Sequence, residues 1–225
     1  MNDILHNRAL FIDFDSTFVK VETIDELAKF SLQNDPDADT KVKMISDITN
    51  QAMSGKLDFP SALKKRLSIL NLTKDDVIEV SNQISGLISD SIEDNLETIQ
   101  SISDSIWILS GGFLEVISPI VSRFGIKENH ILANSFTYNN DIVTGCDEDN
   151  DLFKDNGKVR AIKRLNLKRD IIMLGDGYTD YEVYKNEMAK EFICYTENIS
   201  RKTVLEKSDY VAHNFYDVID IINQL

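Results

Sequence analysis

The sequence predicts an α/β fold, a doubly wound and mainly parallel sheet with a helical insertion after its first strand. Three observations predict it. Short apolar runs alternate with longer amphipathic stretches along most of the chain. Several runs are apolar throughout, as in Ile106-Trp107-Ile108-Leu109 and Ile171-Ile172-Met173-Leu174, a pattern suited to strands covered on both faces. The alternation is also broken by one long segment, roughly Val19 to Ser89, that is helical in period and contains no strand pattern.

Taken in order, the first strand is expected over Ala9–Asp13, and residues 19–89 form a helical cap inserted directly after it. Further strands fall at Ser105–Leu109, His130–Phe136, Asp170–Leu174, Glu191–Tyr195 and Tyr210–Ala212. Helix patterns occupy Phe113–Arg123, Val159–Leu165, Asp180–Ala189 and Tyr216–Asn223. Strand alternating with helix reads as a parallel sheet with helices on both faces. Tyr138-Asn139-Asn140-Asp141, between Thr137 and Ile142, marks a hairpin turn. Residues 1–18 and 90–225 are thus expected to form the α/β core, and 19–89 the cap.

A chain of 225 residues is long enough for one core and a small accessory unit. A net charge of −14 argues against nucleic acid or an anionic membrane as the main partner. It also means that an anionic substrate needs local positive charge at its site. No run approaches the eighteen apolar residues of a membrane span. The start, MNDILHNRALFIDFD, lacks a secretory signal pattern, and Cys146 and Cys194 belong to no metal-ligand spacing. A cytoplasmic protein is expected, either monomer or homodimer. His6, His130 and His213 are scattered and carry no catalytic pattern.

Four polar clusters sit at strand or helix ends, where ligands of doubly wound sheets gather. In Phe11-Ile12-Asp13-Phe14-Asp15-Ser16-Thr17, the aspartates at i and i+2 leave the strand on one side. Like charges placed together call for a cation or a retained proton. Asp13 fits a nucleophile that forms a mixed anhydride with phosphate, and Asp15 a group that protonates the leaving oxygen and later takes a proton from water. Ser110-Gly111-Gly112 ends a strand before a helix, offering a hydroxyl and backbone amides to a phosphate. Lys158, in Asn156-Gly157-Lys158, supplies the missing positive charge, with Lys154 as the alternative. In Gly175-Asp176-Gly177-Tyr178-Thr179-Asp180, Asp176 suits a magnesium ligand, with Asp180 behind it.

In this order, the Asp-x-Asp-Ser-Thr and Gly-Asp-Gly-x-Thr-Asp motifs and the serine and lysine between them resemble the haloacid dehalogenase superfamily of aspartate-nucleophile phosphatases. The resemblance covers essentially the whole chain. It implies a Rossmann-like core, a cap after the first strand, and Mg²⁺ held by Asp13, the backbone carbonyl of Asp15, and Asp176. Within that superfamily the cap is similar to that of the phosphoserine phosphatases. The resemblance assigns Glu22 to a substrate ammonium, Arg66 to its carboxylate, Met53 and Phe59 to shielding the site from water, and Thr179 to a substrate contact. Arg66 also has support from periodicity, because it falls within the apolar face Ala62–Leu63–Leu67–Leu70 while Lys64 and Lys65 face away.

Glu22 with Arg66 fits a zwitterion, and phosphoserine is the expected substrate. The same chemistry on another small phosphomonoester, as hydrolase or phosphotransferase, is the nearest alternative. A phospho-aspartate signalling receiver, which has no use for a cap or for a second acid after its nucleophile, is more remote, and so is an inactive binding protein on this fold.

Overall fold

The computed structural model of the chain describes residues 5, 7–53 and 56–225, with the side chains of Asn50 and Met53 outside that description. In chain order the elements are β1 (Arg8–Ile12), α1 (Thr23–Leu32), α2 (Ala38–Met53), α3 (Phe59–Leu67), α4 (Lys74–Ile84), α5 (Asp90–Asp94), α6 (Leu96–Ser101), β2 (Ile106–Phe113) and α7 (Leu114–Ser122). Then come β3 (Ile131–Asn134), β4 (Phe136–Asn139), β5 (Ile142–Cys146), α8 (Gly157–Leu165), β6 (Asp170–Gly175), α9 (Tyr178–Lys185), β7 (Glu191–Tyr195), α10 (Lys202–Leu205), β8 (Tyr210–Ala212) and α11 (Phe215–Gln224).

Among the described residues the main sheet has six strands in the order β3-β2-β1-β6-β7-β8, all paired in parallel. The α/β prediction is borne out. Side chains alternate across each strand, so Leu10 and Ile12 of β1 pack in the layer that contains α7 and α11. Ala9 and Phe11 pack in the opposite layer with α8 and α9. A sheet buried on both faces explains why these strands are apolar throughout.

The chain leaves β1, turns tightly through residues 14–18, and passes through α1 to α4 before returning. The departing and returning segments run side by side: Val19 bridges Ile88, Lys20 N–H donates to Leu87 O, and Ser89 N–H to Phe18 O. Helix α3 is capped by Asp58, which accepts from the Ser61 N–H, and α4 by a reciprocal Thr73–Asp76 capping box. Val77, Val80 and Ile84 of α4 join the same apolar cluster as Val116, Ile117 and Ile120 of α7. Ala28, Leu32 and Ile45 form a smaller cluster between α1 and α2.

Several boundaries differ from the sequence expectation, three of them with a clear local cause. The strand expected to end at Leu109 runs on through Ser110-Gly111-Gly112 to Phe113, because Phe113 pairs with Asn134 and the Gly112 N–H is taken by Ser110 Oγ. The glycines therefore lie in extended chain rather than in a helix N-terminus. His130 belongs to a short turn before β3, its ring stacked on Trp107. Helix α9 ends at Lys185 rather than Ala189, since Glu187 adopts a left-handed φ of 59°. The predicted hairpin is β4–β5, with Asn140 and Asp141 both at positive φ, the backbone of a type I′ turn. Among the described residues no helix is long and apolar enough to cross a membrane.

Candidate active site

The strand order reverses around β1, and the carboxyl ends of β1, β2 and β6 meet there, where a parallel sheet opens a crevice. A cavity of about 540 Å³ occupies it, lined by Asp13, Asp15, Glu22, Phe59, Arg66, Ser110, Gly111, Lys158, Asp176 and Thr179 among others. Residues from every predicted cluster thus share one cavity. Asp180 lies behind the wall, fully buried.

Asp13 follows β1 directly, its N–H donating to Leu174 O of β6 at 2.9 Å. Its Oδ1 accepts from the Phe14 N–H at 2.7 Å and pairs with Lys158 Nζ at 2.7 Å. Its Oδ2 takes no hydrogen bond among the described residues. Ser16, at φ 56°, turns the chain back so that Asp15 faces the same cavity. Asp15 Oδ1 accepts from both the N–H (3.0 Å) and the hydroxyl of Thr23, which fixes the carboxyl while Oδ2 lies toward Gly112. Desolvation, and after it the Glu22 carboxylate, hold Asp15 well above the ordinary carboxylate range.

Lys158 sits at the start of α8, after Asn156 in the left-handed region. Its ammonium joins Asp13 Oδ1 to Asp180 Oδ1, the latter at 2.6 Å. Burial opposes the charge, but Asp13 and Asp180 outweigh it and raise Lys158 above the usual lysine value. The ammonium of Lys154 instead donates to the Asp149 carbonyl. Asp180 also accepts from the Gly177 N–H through Oδ2. Only glycine fits at 175, because a Cβ there would stand 2.3 Å from Asp180 Cγ. Oxygens of Asp13, Asp176 and Asp180 lie within 4.8 Å of one another, a hard-oxygen set that suits a divalent cation. Burial, then the charge of Asp13, raises both Asp176 and Asp180.

Elsewhere on the cavity lining, Ser110 is buried at the wall and Gly111 is held by Asn134 Nδ2 donating to its carbonyl. The Phe59 ring covers Gly111: a Cβ there would meet the ring at 3.0 Å. Arg66 is 6% exposed, with Nε on Ala62 O at 3.3 Å and Nη1 on Thr49 Oγ1 at 3.2 Å. No carboxylate lies within ion-pair distance of it among the described residues. Burial lowers its pKa, with Asp25, Glu22 and Asp15 opposing. Glu22 precedes α1, its Oε1 accepting from Ser16 Oγ at 2.7 Å. Its pKa is raised, chiefly by burial. Thr179 lines the cavity from the first turn of α9 and is exposed. The Met53 side chain, with Ser54 and Gly55, lies outside the described residues.

Sequence reasoning missed Arg201. Its Nε donates to Asp176 Oδ2 at 2.7 Å and its Nη2 lies 3.4 Å from Glu22 Oε1. Ser200-Arg201-Lys202 reads as a surface basic pair, and only its place just beyond the carboxyl end of β7 hinted at the site. Thr23 and Thr49, which hold Asp15 and Arg66, also escaped notice, since a threonine on a helix has no motif of its own.

Residues 10–185 match the model of the haloacid dehalogenase-like hydrolases. This chain belongs to that family. Among relatives in the family, the chloroplastic phosphoserine phosphatase of Arabidopsis thaliana is 30% identical over 219 residues, covering 96% of this chain and 72% of that one. The phosphoserine phosphatase of Campylobacter jejuni subsp. doylei is 35% identical over 191 residues, covering 82% and 86%. A phosphoserine phosphohydrolase-like protein from Francisella tularensis has a solved structure that superposes with a TM-score of 0.83 at 33% identity, covering 96% of this chain and 99% of the other.

Proposed function

We propose that this hydrolase converts O-phosphoserine and water to serine and phosphate through a phosphorylated Asp13. The observation that carries the substrate is Arg66, a buried guanidinium that lines the cavity with no carboxylate partner among the described residues. Burying an unpaired charge is costly, so the site is built to receive an anion. Glu22 on the same cavity supplies the opposite charge for an ammonium. An amino acid carries both groups, and the relatives from Arabidopsis thaliana and Campylobacter jejuni are phosphoserine phosphatases.

Asp13 Oδ1 is fixed by Lys158 and the Phe14 N–H, which leaves Oδ2 to attack phosphorus. The Oδ2–P bond forms as the P–O bond to serine breaks. Asp15, whose carboxyl is held above the ordinary range by burial and the Glu22 carboxylate, passes its proton to the departing serine oxygen. Water then attacks the phosphorylated Asp13, its proton goes to Asp15, and the acyl phosphate bond breaks to restore both aspartates. Ser110 and the adjacent backbone, with Lys158, bind the phosphoryl oxygens. Asp13, Asp176 and the Asp15 carbonyl would hold Mg²⁺, with Asp180 behind them, and the ion would neutralise phosphoryl charge that the surrounding acids otherwise repel. Phe59 over Gly111 excludes water from the reacting end. Residues 19–89 act as a cap in a cytosolic enzyme.

Acid quenching during turnover of radiolabelled phosphoserine tests this reading: label should appear on Asp13 and vanish on a chase. Absence of label on Asp13 while hydrolysis continues would overturn it.

A further inference from the structure

We propose that Arg201 is a positioning residue that sets the metal-end carboxylate, Asp176, and the ammonium-end carboxylate, Glu22, at a fixed separation. The proposal rests on the phosphoserine reading above and adds a residue to it. Arg201 is the only described cation paired with both acids. The Nε contact with Asp176 is short, at 2.7 Å, and anchors the guanidinium. The Nη2 contact with Glu22 Oε1 is longer, at 3.4 Å. Glu22 Oε1 is also held by Ser16, while Oε2 takes no hydrogen bond among the described residues. Arginine thus steadies one oxygen of Glu22 and leaves the other for the substrate. Asp176 is held at both oxygens: Arg201 donates to Oδ2 at 2.7 Å and the Thr17 hydroxyl to Oδ1 at 3.2 Å.

The loop that carries Arg201 is itself tied to the turn after Asp15. Asn198 Nδ2 donates to Ser16 O at 3.1 Å and to Ser89 Oγ at 2.6 Å, and Ser89 Oγ donates to Thr17 O at 2.6 Å. The guanidinium is therefore supported by the same turn that presents Asp15 and Ser16. Its planar fork spans two carboxylates, which a lysine point charge does not reproduce. Without it, Glu22 and Asp176 repel each other and are held only by single hydroxyls.

The test uses Arg201→Ala and Arg201→Lys. Calorimetry without substrate reads Mg²⁺ affinity, and kinetics at saturating Mg²⁺ read KM for phosphoserine and for 4-nitrophenyl phosphate, which has no ammonium. For Arg201→Ala, losing a partner that orients a metal ligand predicts about tenfold weaker Mg²⁺ binding and about tenfold higher KM for phosphoserine. KM for the aryl ester should stay within about twofold. Arg201→Lys, which keeps the charge on Asp176, should recover Mg²⁺ affinity but not KM for phosphoserine. An alanine variant matching wild type in both readouts overturns the proposal, and so does a lysine variant that restores both. If alanine does not fold, the lysine variant decides on the same readouts. A wild-type enzyme indifferent to phosphoserine defeats the substrate reading instead, and leaves Mg²⁺ affinity to judge the anchor at Asp176.

Discussion

The ammonium of Lys158 lies 2.7 Å from Oδ1 of Asp13, with both side chains buried. In the proposed mechanism Asp13 is the nucleophile, held at one oxygen by this cation so that the other is left to attack phosphorus. The same ammonium reaches Asp180, so Asp13, Lys158 and Asp180 form one buried charge network. Lys158→Met should lower kcat/KM by about 10² to 10³, the usual cost of one electrostatic donor at a reacting group. It should also destabilise the metal-free protein by about 3 kcal/mol, because two buried carboxyls lose their partner. Denaturant melts in chelator and in Mg²⁺ check this, and the loss should shrink in Mg²⁺. Unchanged kcat/KM would remove Lys158 from the chemistry.

Gly175→Ala tests the placement of Asp180. A methyl group at 175 would collide with the Asp180 carboxyl, and overpacking of a buried site costs about 1–3 kcal/mol. Asp180 must shift, and its bonds to Lys158 and the Gly177 N–H go with it. Phosphate release should fall at least about tenfold even in protein that remains folded by circular dichroism.

Arg66→Ala separates binding from chemistry. Removing one side of a buried charge pair costs about 2–5 kcal/mol, so KM for phosphoserine should rise roughly 100-fold. Hydrolysis of an aryl phosphate that lacks a carboxylate should change little. Equal damage to both substrates would make Arg66 a structural residue.

The acids of the site give the metal-free protein an unusual pH profile. Asp15, Glu22, Asp176 and Asp180 all have folded pKa values above their ordinary ones, so the folded state binds these protons more tightly than the unfolded chain. Their contribution to stability is complete below the ordinary carboxylate range, about 4, and is lost as pH rises through each raised value. In chelator the melting midpoint should therefore fall as pH rises toward neutrality. Saturating Mg²⁺ should flatten the slope. A midpoint in chelator that rises over the same range would contradict the assignment of a strained acid cluster.

Much of this was legible in the sequence because the sheet imposes strong patterns. Strands buried on two faces must be apolar, and their ends are marked by abrupt carboxylates such as Asp13 and Asp176. Arg66 was readable because a charge within an apolar helical face needs an explanation. Arg201 was not, since its role arises only when β7 is placed beside β6 and a loop distant in sequence from Glu22 comes back to it. The path through Ser110-Gly111-Gly112 was misread because glycine permits both a turn and extended chain. The pairing of Phe113 with Asn134 decided between them.

The central claim is tested most directly by phosphate release from phosphoserine, phosphoethanolamine and 3-phosphoglycerate, each with Mg²⁺ and with chelator. Phosphoethanolamine lacks the carboxylate that Arg66 would bind, and 3-phosphoglycerate lacks the ammonium that Glu22 would bind. The predicted result is magnesium-dependent hydrolysis with phosphoserine preferred over both. Equal rates on all three esters, or rates indifferent to chelator, would contradict it.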